Sequence, residues 1–205
     1  MGWYDLFSNF YDRSLEPLYR EQRRAAADAL ELAPGHAVLD LPCGTGQSFA
    51  ELARRVVPGG VVLGVDASAG MLDKAHAKLD RASNVHVIQA DVHALDRARI
   101  EQTLARPQVD RLHVFLGLSA FPRWEQAFDR LWDLLAPGGR CVIVDVHAER
   151  PSFQGRMVNL VARADIRRKV WTPLERLAED YCMQELPSLP EHGGQLILAS
   201  GRKPG

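Results

Sequence analysis

The sequence predicts an α/β fold, a doubly wound seven-stranded mixed sheet whose last two strands run antiparallel, in a single domain of 205 residues. Three observations carry that expectation. Short bursts rich in valine, isoleucine and leucine alternate with longer stretches of helical period, the pattern of a parallel sheet covered by helices. Each burst is near-continuously apolar, as a strand buried on both faces must be. The final two strand segments are separated only by residues 187–194, too short for a helical crossover, so they have to pair antiparallel.

In chain order, the first thirty residues read as helical, and Trp3, Tyr4, Phe7, Phe10 and Tyr11 recur with Leu15 at spacings that make a broad aromatic face. The first strand is 37–41. A helix over 46–56 follows, stopped by Pro58-Gly59-Gly60. The second strand, 61–65, leads to a helix over 69–80 with Ser68 as its N-cap, since a serine oxygen can accept from a free N–H of the first turn. The third strand is 85–89 and its helix 94–105; the fourth is 112–116 and its helix 124–135, stopped by Pro137-Gly138-Gly139; the fifth is 141–146. Beyond Glu149 the pattern changes to a basic amphipathic helix over 156–169, where Arg156, Arg163 and Arg167 share one face. A second helix starts near Thr172-Pro173, and the strands 181–186 and 195–200 close the chain.

Composition narrows the class. Hydrophobic residues at 46% and charged ones at 25% are ordinary for a globular domain, which excludes disordered, collagen-like and disulfide-scaffold chains. A net charge of −1 provides no overall field for a polyanion, so no nucleic-acid partner is expected. Cys43, Cys141 and Cys182 form no C-x-x-C pair, and the seven histidines include no H-E-x-x-H, so no metal site is expected. No apolar run reaches the roughly 18 residues that span a bilayer. A cytoplasmic protein without signal peptide or anchor is the expectation.

The chemistry is concentrated where the first strand ends, in Val38-Leu39-Asp40-Leu41-Pro42-Cys43-Gly44-Thr45-Gly46. Glycines there let the backbone approach a ligand, and the helix that follows offers free N–H groups. The second strand ends in Gly64-Val65-Asp66, about twenty residues on, where a carboxylate in a nucleotide-binding half-sheet accepts from ribose hydroxyls. A dinucleotide fingerprint needs a third glycine, and Phe49 stands in its place, which disfavours a nicotinamide cofactor.

The run resembles motif I of the class I S-adenosylmethionine-dependent methyltransferases, and the resemblance continues in order over roughly residues 36 to 200. Gly64-Val65-Asp66-Ala67-Ser68 with Met71 is similar to that family's ribose and adenine segment, and Ala90-Asp91-Val92 to its adenine-amino segment. Phe121-Pro122-Arg123-Trp124 with Leu135-Ala136-Pro137-Gly138-Gly139-Arg140 is similar to its fourth-helix run. The resemblance implies a Rossmann-like methyltransferase fold with S-adenosyl-L-methionine as cofactor. It implies that Gly44 and Gly46 border the methionine part, that Asp66 and Ala67 meet the ribose, and that Met71 lies against the adenine. Asp91 would accept from the adenine amino group, the Val92 N–H would meet a ring nitrogen, and the loop opening at Leu116-Gly117 would flank the sulfonium. Asp40 would orient either the loop or the cofactor's ammonium. Pro42, where the family more often has glycine, cannot donate a backbone hydrogen bond.

On this reading residues 1–33 form an N-terminal helical lid, 36–146 the cofactor-binding half, and 147–205 the acceptor-side helices and terminal strand pair. The aromatic face either packs on the sheet edge or closes over the cofactor. Its Tyr11-Asp12 pair resembles the aromatic-acid pair of ubiquinone- and menaquinone-type and phospholipid methyltransferases, which places Tyr11 beside His147 as a candidate catalytic residue. His147 follows the fifth strand, where ligands bind in such sheets, and histidine is the residue type suited to proton transfer near neutral pH. The acceptor expected is a small molecule or lipid-like, because 116–119 lacks the Asn/Asp-Pro-Pro-Tyr run of methyltransferases that act on nucleobase amines. Arg156, Arg163 and Arg167 would serve either as a solvated face or as a contact with an anionic acceptor or phospholipid surface. Two alternatives stay open: a protein that binds S-adenosylmethionine or S-adenosylhomocysteine without catalysis, and a nicotinamide-dependent oxidoreductase.

Overall fold

The computed structural model describes residues 17–79 and 83–205. Its strands are β1 Ala37–Asp40, β2 Val61–Asp66, β3 Val85–Gln89, β4 Val109–Phe115, β5 Leu135–His147, β6 Glu179–Leu186 and β7 Gln195–Arg202. The helices are α1 Arg20–Ala29, α2 Phe49–Val56, α3 Ala69–His76, α4 Arg97–Leu104, α5 Trp124–Leu134, α6 Phe153–Ala162 and α7 Thr172–Leu177. All seven strands lie in one sheet, ordered β3-β2-β1-β4-β5-β7-β6. The first five are parallel, and β7 runs antiparallel to both neighbours, β5 and β6. The mixed sheet follows the sequence expectation, with one addition: the last strand inserts between the fifth and sixth. From β1 the chain fills one side of the sheet with β2 and β3, then returns to lay β4 on the other. That reversal is where an open α/β sheet forms a crevice at the carboxyl ends of its strands.

Period-two alternation divides the core between the faces of the sheet. Leu39, Leu63, Leu112, Ile143 and Ile197 pack with Phe128, Leu131 and Leu134 of α5 on one side. Val38, Val62, Val142 and Leu198 pack with Leu30 after α1, with Leu52 and Val56 of α2 and with Leu72 of α3 on the other. Truncating any of the fully buried leucines to alanine should cost about 2–5 kcal/mol. Helix ends are set by side chains: Ser68 accepts from the Met71 N–H at 3.3 Å, Asp96 from the Arg99 N–H at 2.8 Å and Ser152 from the Gly155 N–H at 3.2 Å. The carbonyls that end α1 accept from Arg140 and Arg111 at 2.7 Å each, cations where the helix dipole favours them.

Four differences from the sequence reading have local causes. The helix expected over 46–56 starts at Phe49, because Gly44 (φ +53°) and Gly46 (φ +73°) are left-handed and form a turn instead. The start expected at 94 moves to Arg97, because Asp91 caps a separate 3-10 turn over Val92–Ala94. Pro137-Gly138-Gly139 does follow the end of α5, yet it lies within β5 as a bulge, the register passing from Val109↔Leu135 to Arg111↔Arg140. Lys203 of the chain end pairs there with Gly138 and Gly139 at 2.9 and 2.8 Å.

The fourth corrects a proposed surface. The helix expected over 156–169 is α6, which Ser152 starts earlier and Arg163 ends in a left-handed conformation (φ +49°). Asn159 then turns the chain back by accepting from the Ile166 N–H at 3.0 Å. Arg156, Arg163 and Arg167 therefore do not share a helix face. The aromatic positions Trp3 to Tyr11 lie outside the described residues. No helix among the described residues is long and apolar enough to cross a membrane.

Candidate functional site

A cavity of about 580 Å³ opens at the switch point between β1 and β4. It is built from the turns after the first four parallel strands, with Arg23 reaching in from α1 and Val161, Arg163 and Arg168 from the end of α6 and the turn beyond it. Of the residues expected to hold a cofactor, Asp40, Gly44, Asp66, Ala67, Met71, Asp91, Val92 and Leu116 line this one cavity. Gly46 is not among its lining residues.

The turn after β1 is held from beneath, the Leu41 N–H donating to the His113 carbonyl at 3.1 Å and the Cys43 N–H to the Val65 carbonyl at 2.9 Å. A Cβ on Gly44 would meet no heavy atom within 4 Å, so this position faces open cavity. The other glycines serve Phe49. A Cβ on Gly46 would lie 2.5 Å from its ring and a Cβ on Gly64 2.4 Å from its Cζ. Where a dinucleotide fold brings helix against strand through a third glycine, this chain inserts a phenylalanine and clears the two positions its ring touches. Across the cleft, a Cβ on Gly117 would overlap the Pro42 ring at 2.2 Å, so the turns after β1 and β4 interlock. Leu116 begins the second turn at φ +54°, its N–H donating to the Val144 carbonyl at 2.8 Å.

Three carboxylates stand along the β1–β3 side. Asp66 accepts from the Gly44 N–H and the Ser68 N–H, each at 2.9 Å, one on each oxygen, and so braces the glycine turn while keeping lone pairs for a ligand. Burial raises its pKa above the ordinary aspartate value, and these two N–H groups oppose the rise. Asp40 is almost fully buried; its Oδ1 accepts from the His113 Nδ1–H at 2.7 Å, while its Oδ2 has no hydrogen-bond partner among the described residues. A buried carboxylate oxygen without a donor is costly, so this atom fits a cationic or N–H-bearing ligand group. Asp91 is more exposed and accepts from the His93 N–H at 2.8 Å. Met71 and Val92, both buried, add apolar wall to the cavity. Cys43 sits beneath the turn, and burial together with Asp40 and Asp66 pushes its thiol pKa up, which does not suit a nucleophile.

The β4 side differs in kind. Phe115, Leu116, Phe121 and Pro122 make it apolar, and Arg23, Arg163 and Arg168 make it cationic. The Arg23 guanidinium lies 5.2 Å from the Phe115 ring centre. Arg168 donates to the Ser119 and Phe121 carbonyls at 3.0 and 2.8 Å. Beneath this turn the buried Asp145 accepts from the Ser119 N–H at 3.0 Å and from its hydroxyl at 2.7 Å. Burial raises the Asp145 pKa and the Ser119 bonds oppose that. Sequence reasoning missed the Asp40–His113 and Asp145–Ser119 pairs, although an ionisable residue inside an apolar strand burst signals a buried partner. It also missed Arg23 and Arg168, whose place here depends on tertiary packing.

His147 is not brought to the cavity. It ends β5 opposite Gln195, and its ring stands edge-on to Trp171 at 5.1 Å between centres. Because β4 separates β5 from β1, the end of β5 lies a strand further from the glycine turn than position in sequence suggests. Tyr11 lies outside the described residues. Among the described residues no group of three or more His, Cys, Asp or Glu side chains could hold a metal ion.

Known proteins are similar to this chain in sequence and in fold. Residues 38–139 match the family model described as a methyltransferase domain. The chain is 33% identical over 141 residues to the 2-phytyl-1,4-naphtoquinone methyltransferase of Thermosynechococcus vestitus, covering 68% of this chain and 59% of that protein. It is 34% identical over 143 residues to the demethylmenaquinone methyltransferase of Thermus thermophilus, covering 69% and 60%. The chain thus spans about three-fifths of the length of these two relatives. Its fold is similar to geranyl diphosphate C-methyltransferase from Streptomyces coelicolor A3(2), solved with Mg2+, geranyl diphosphate and S-adenosyl-L-homocysteine. That likeness has a TM-score of 0.72 at 17% identity over 92% of this chain and 80% of that one.

Proposed function

We infer that this chain, which belongs to the class I S-adenosylmethionine-dependent methyltransferases, carries a methyl group from S-adenosylmethionine to a small-molecule or lipid-like acceptor. The observation that carries the reading is the partnerless buried oxygen of Asp40, a residue that lines the same cavity as the Gly44 turn and Asp66. One end of that cavity suits an ammonium, its middle a diol, and its far wall a flat ring.

In this assignment Asp40 Oδ2 holds the amino group of the cofactor, and Asp66 accepts from the ribose with Ala67 beside it. Met71 lies against the adenine, the Val92 N–H meets a ring nitrogen, Asp91 accepts from the adenine amino group, and Leu116-Gly117 flanks the sulfonium. Gly44 leaves room for the methionine part and Gly46 shapes the turn behind it. When bound, the cofactor supplies an electrophilic methyl group, so the hard chemistry is not the protein's. The chain's own task is to position the acceptor and exclude water. Phe115, Leu116, Phe121 and Pro122 suit that task at the β4 end, and both quinone-methylating relatives are named for acceptors that an apolar wall fits. Tyr11 is retained as a hydroxyl that meets the acceptor from the N-terminal lid. His147, packed on Trp171, is given no catalytic role. Three free cysteines accord with a cytoplasmic site of action.

Calorimetry with S-adenosylhomocysteine and a labelled-methyl assay over a panel of quinones, prenylated phenols and short-chain lipids test the reading. Binding with transfer to one of these is expected. Absence of binding refutes the cofactor assignment, and binding without transfer to any class of acceptor leaves the non-catalytic binder as the answer.

A further inference from the structure

Helix α6 is built inside out. Two of its inward positions are small or polar: a Cβ on Gly155 would lie 2.5 Å from the Gly193 carbonyl oxygen and 3.0 Å from Ile166 Cδ1, and the Asn159 side chain accepts from the Ile166 N–H. Its large apolar residues point the other way. Phe153 is 75% exposed, Met157 44% and Leu160 67%, at spacings of four and three that place them on one face. A helix lying on a water-facing surface shows the reverse polarity, and a contiguous exposed apolar stripe marks a site of interaction.

Charge says which kind. Residues 150–163 contain Arg150, Arg156 and Arg163 and no acidic residue, and all three arginines are exposed. The acids that flank the segment in the chain, Glu149 and Asp165, are paired with Lys169 at 3.5 Å and Arg167 at 2.9 Å. Exposed apolar side chains flanked by cations alone suit the boundary between headgroups and acyl chains of an anionic bilayer, where apolar burial and attraction to lipid phosphates act together. The stripe also leads to the cavity, since Val161 and Arg163 at the end of the helix line it.

We propose that α6 is an interfacial helix that seats the protein on an anionic membrane surface, with Phe153, Met157 and Leu160 entering the bilayer boundary and the cavity rim at Val161 and Arg163 facing it. The proposal deepens the reading of a lipid-like acceptor and rests on it for its purpose: a molecule dissolved in the bilayer reaches the β4 side of the cavity without crossing water.

Co-sedimentation of the full chain with phosphatidylcholine vesicles, with and without phosphatidylglycerol, tests it. The parent is expected to sediment with the anionic vesicles and to release as salt is raised. Phe153→Ser combined with Leu160→Ser should lower the partition at least about tenfold, and Arg156→Glu about fivefold or more. Affinity for S-adenosylhomocysteine, measured by calorimetry, should stay at the parental value in all variants, which separates loss of docking from loss of fold. A parent that does not sediment, or a double variant that sediments like the parent, overturns the proposal. So does a dimer in sedimentation velocity that the double variant dissociates, which would make the stripe a contact between copies. Vesicle binding that is lost on removal of residues 1–16, with cofactor affinity and the α6 side chains intact, assigns it instead to that segment and overturns the proposal. Vesicle binding without cofactor binding would leave the interfacial helix standing and remove the methyl-transfer reading.

Discussion

Replacing Asp66 with alanine should weaken S-adenosylmethionine binding by about 10- to 150-fold, the equivalent of the roughly 1.5–3 kcal/mol that hydrogen bonds to a charged acceptor contribute. Two effects combine in that range. The carboxylate accepts from the Gly44 and Ser68 N–H groups at 2.9 Å, so its removal loosens the glycine turn as well as deleting the diol acceptor. The same removal relieves the desolvation that raises its pKa, which keeps the effect on stability small beside the effect on binding. Protonation should act like the mutation. With the pKa raised in the folded protein, affinity falls as pH drops through a value above 3.8, earlier than an exposed aspartate would titrate. Linkage has the opposite sign for stability: the folded state takes up the proton more readily than the unfolded chain, so this group's contribution declines as pH rises from 3.8 through the raised value and is constant beyond it. Calorimetry of parent and Asp66→Ala near neutral pH, with circular dichroism to establish folding, is the assay. An affinity unchanged in a folded variant would refute the ribose assignment and the geometry behind it.

Three further outcomes are expected. Gly64→Ala should destabilise by about 1–3 kcal/mol in urea unfolding because its Cβ meets the Phe49 ring, and Phe49→Leu in the same chain should recover part of that loss; additive effects would sink the wedge argument. His192 is fully buried, its Nδ1 accepts from the Leu189 N–H at 2.8 Å, and burial lowers its pKa below 6.5; its stabilising contribution is therefore complete above 6.5 and is lost as pH falls through that value towards the lowered one. A proton NMR titration placing His192 at or above 6.5 would contradict this, and His192→Phe should flatten the decline in urea midpoint between about pH 7 and about pH 5.5. Removing residues 1–16 leaves every described core residue in place, so the melting temperature should change little while cofactor affinity falls; collapse of the fold would instead assign that segment to packing.

How far the sequence could be read depends on whether a residue's surroundings are local or tertiary. Asp40, Asp66 and Asp91 each end or follow a parallel strand, and such positions meet at the crevice when the strands are laid in the order found here; spacing alone pointed to Asp66, and the family resemblance to Asp40 and Asp91. Ser68 was legible as a cap for the same reason, its partner Met71 being three residues away. His147 obeyed the same positional rule and still stands outside the cavity, because the rule says which edge of the sheet a residue reaches and not how many strands away it lies.

The acceptor side was less legible. The break of the expected 156–169 helix comes from a left-handed Arg163, which composition does not signal as a glycine would, and from the Asn159 side chain turning the chain back on itself. Once the helix ends there, the arginines separate: Arg163 and Arg168 line the cavity, Arg167 pairs with Asp165 in solvent, and Arg156 stays beside an apolar stripe whose outward direction no periodicity could give. Phe153, Met157 and Leu160, which the sequence reading did not single out, share a face at spacings of four and three, and the close approach of Gly155 to the 190–193 turn makes this face the outer one. A cofactor site at strand ends is thus written into the chain as a motif, while the outward apolar stripe of α6 is written as a choice of which face a single glycine buries.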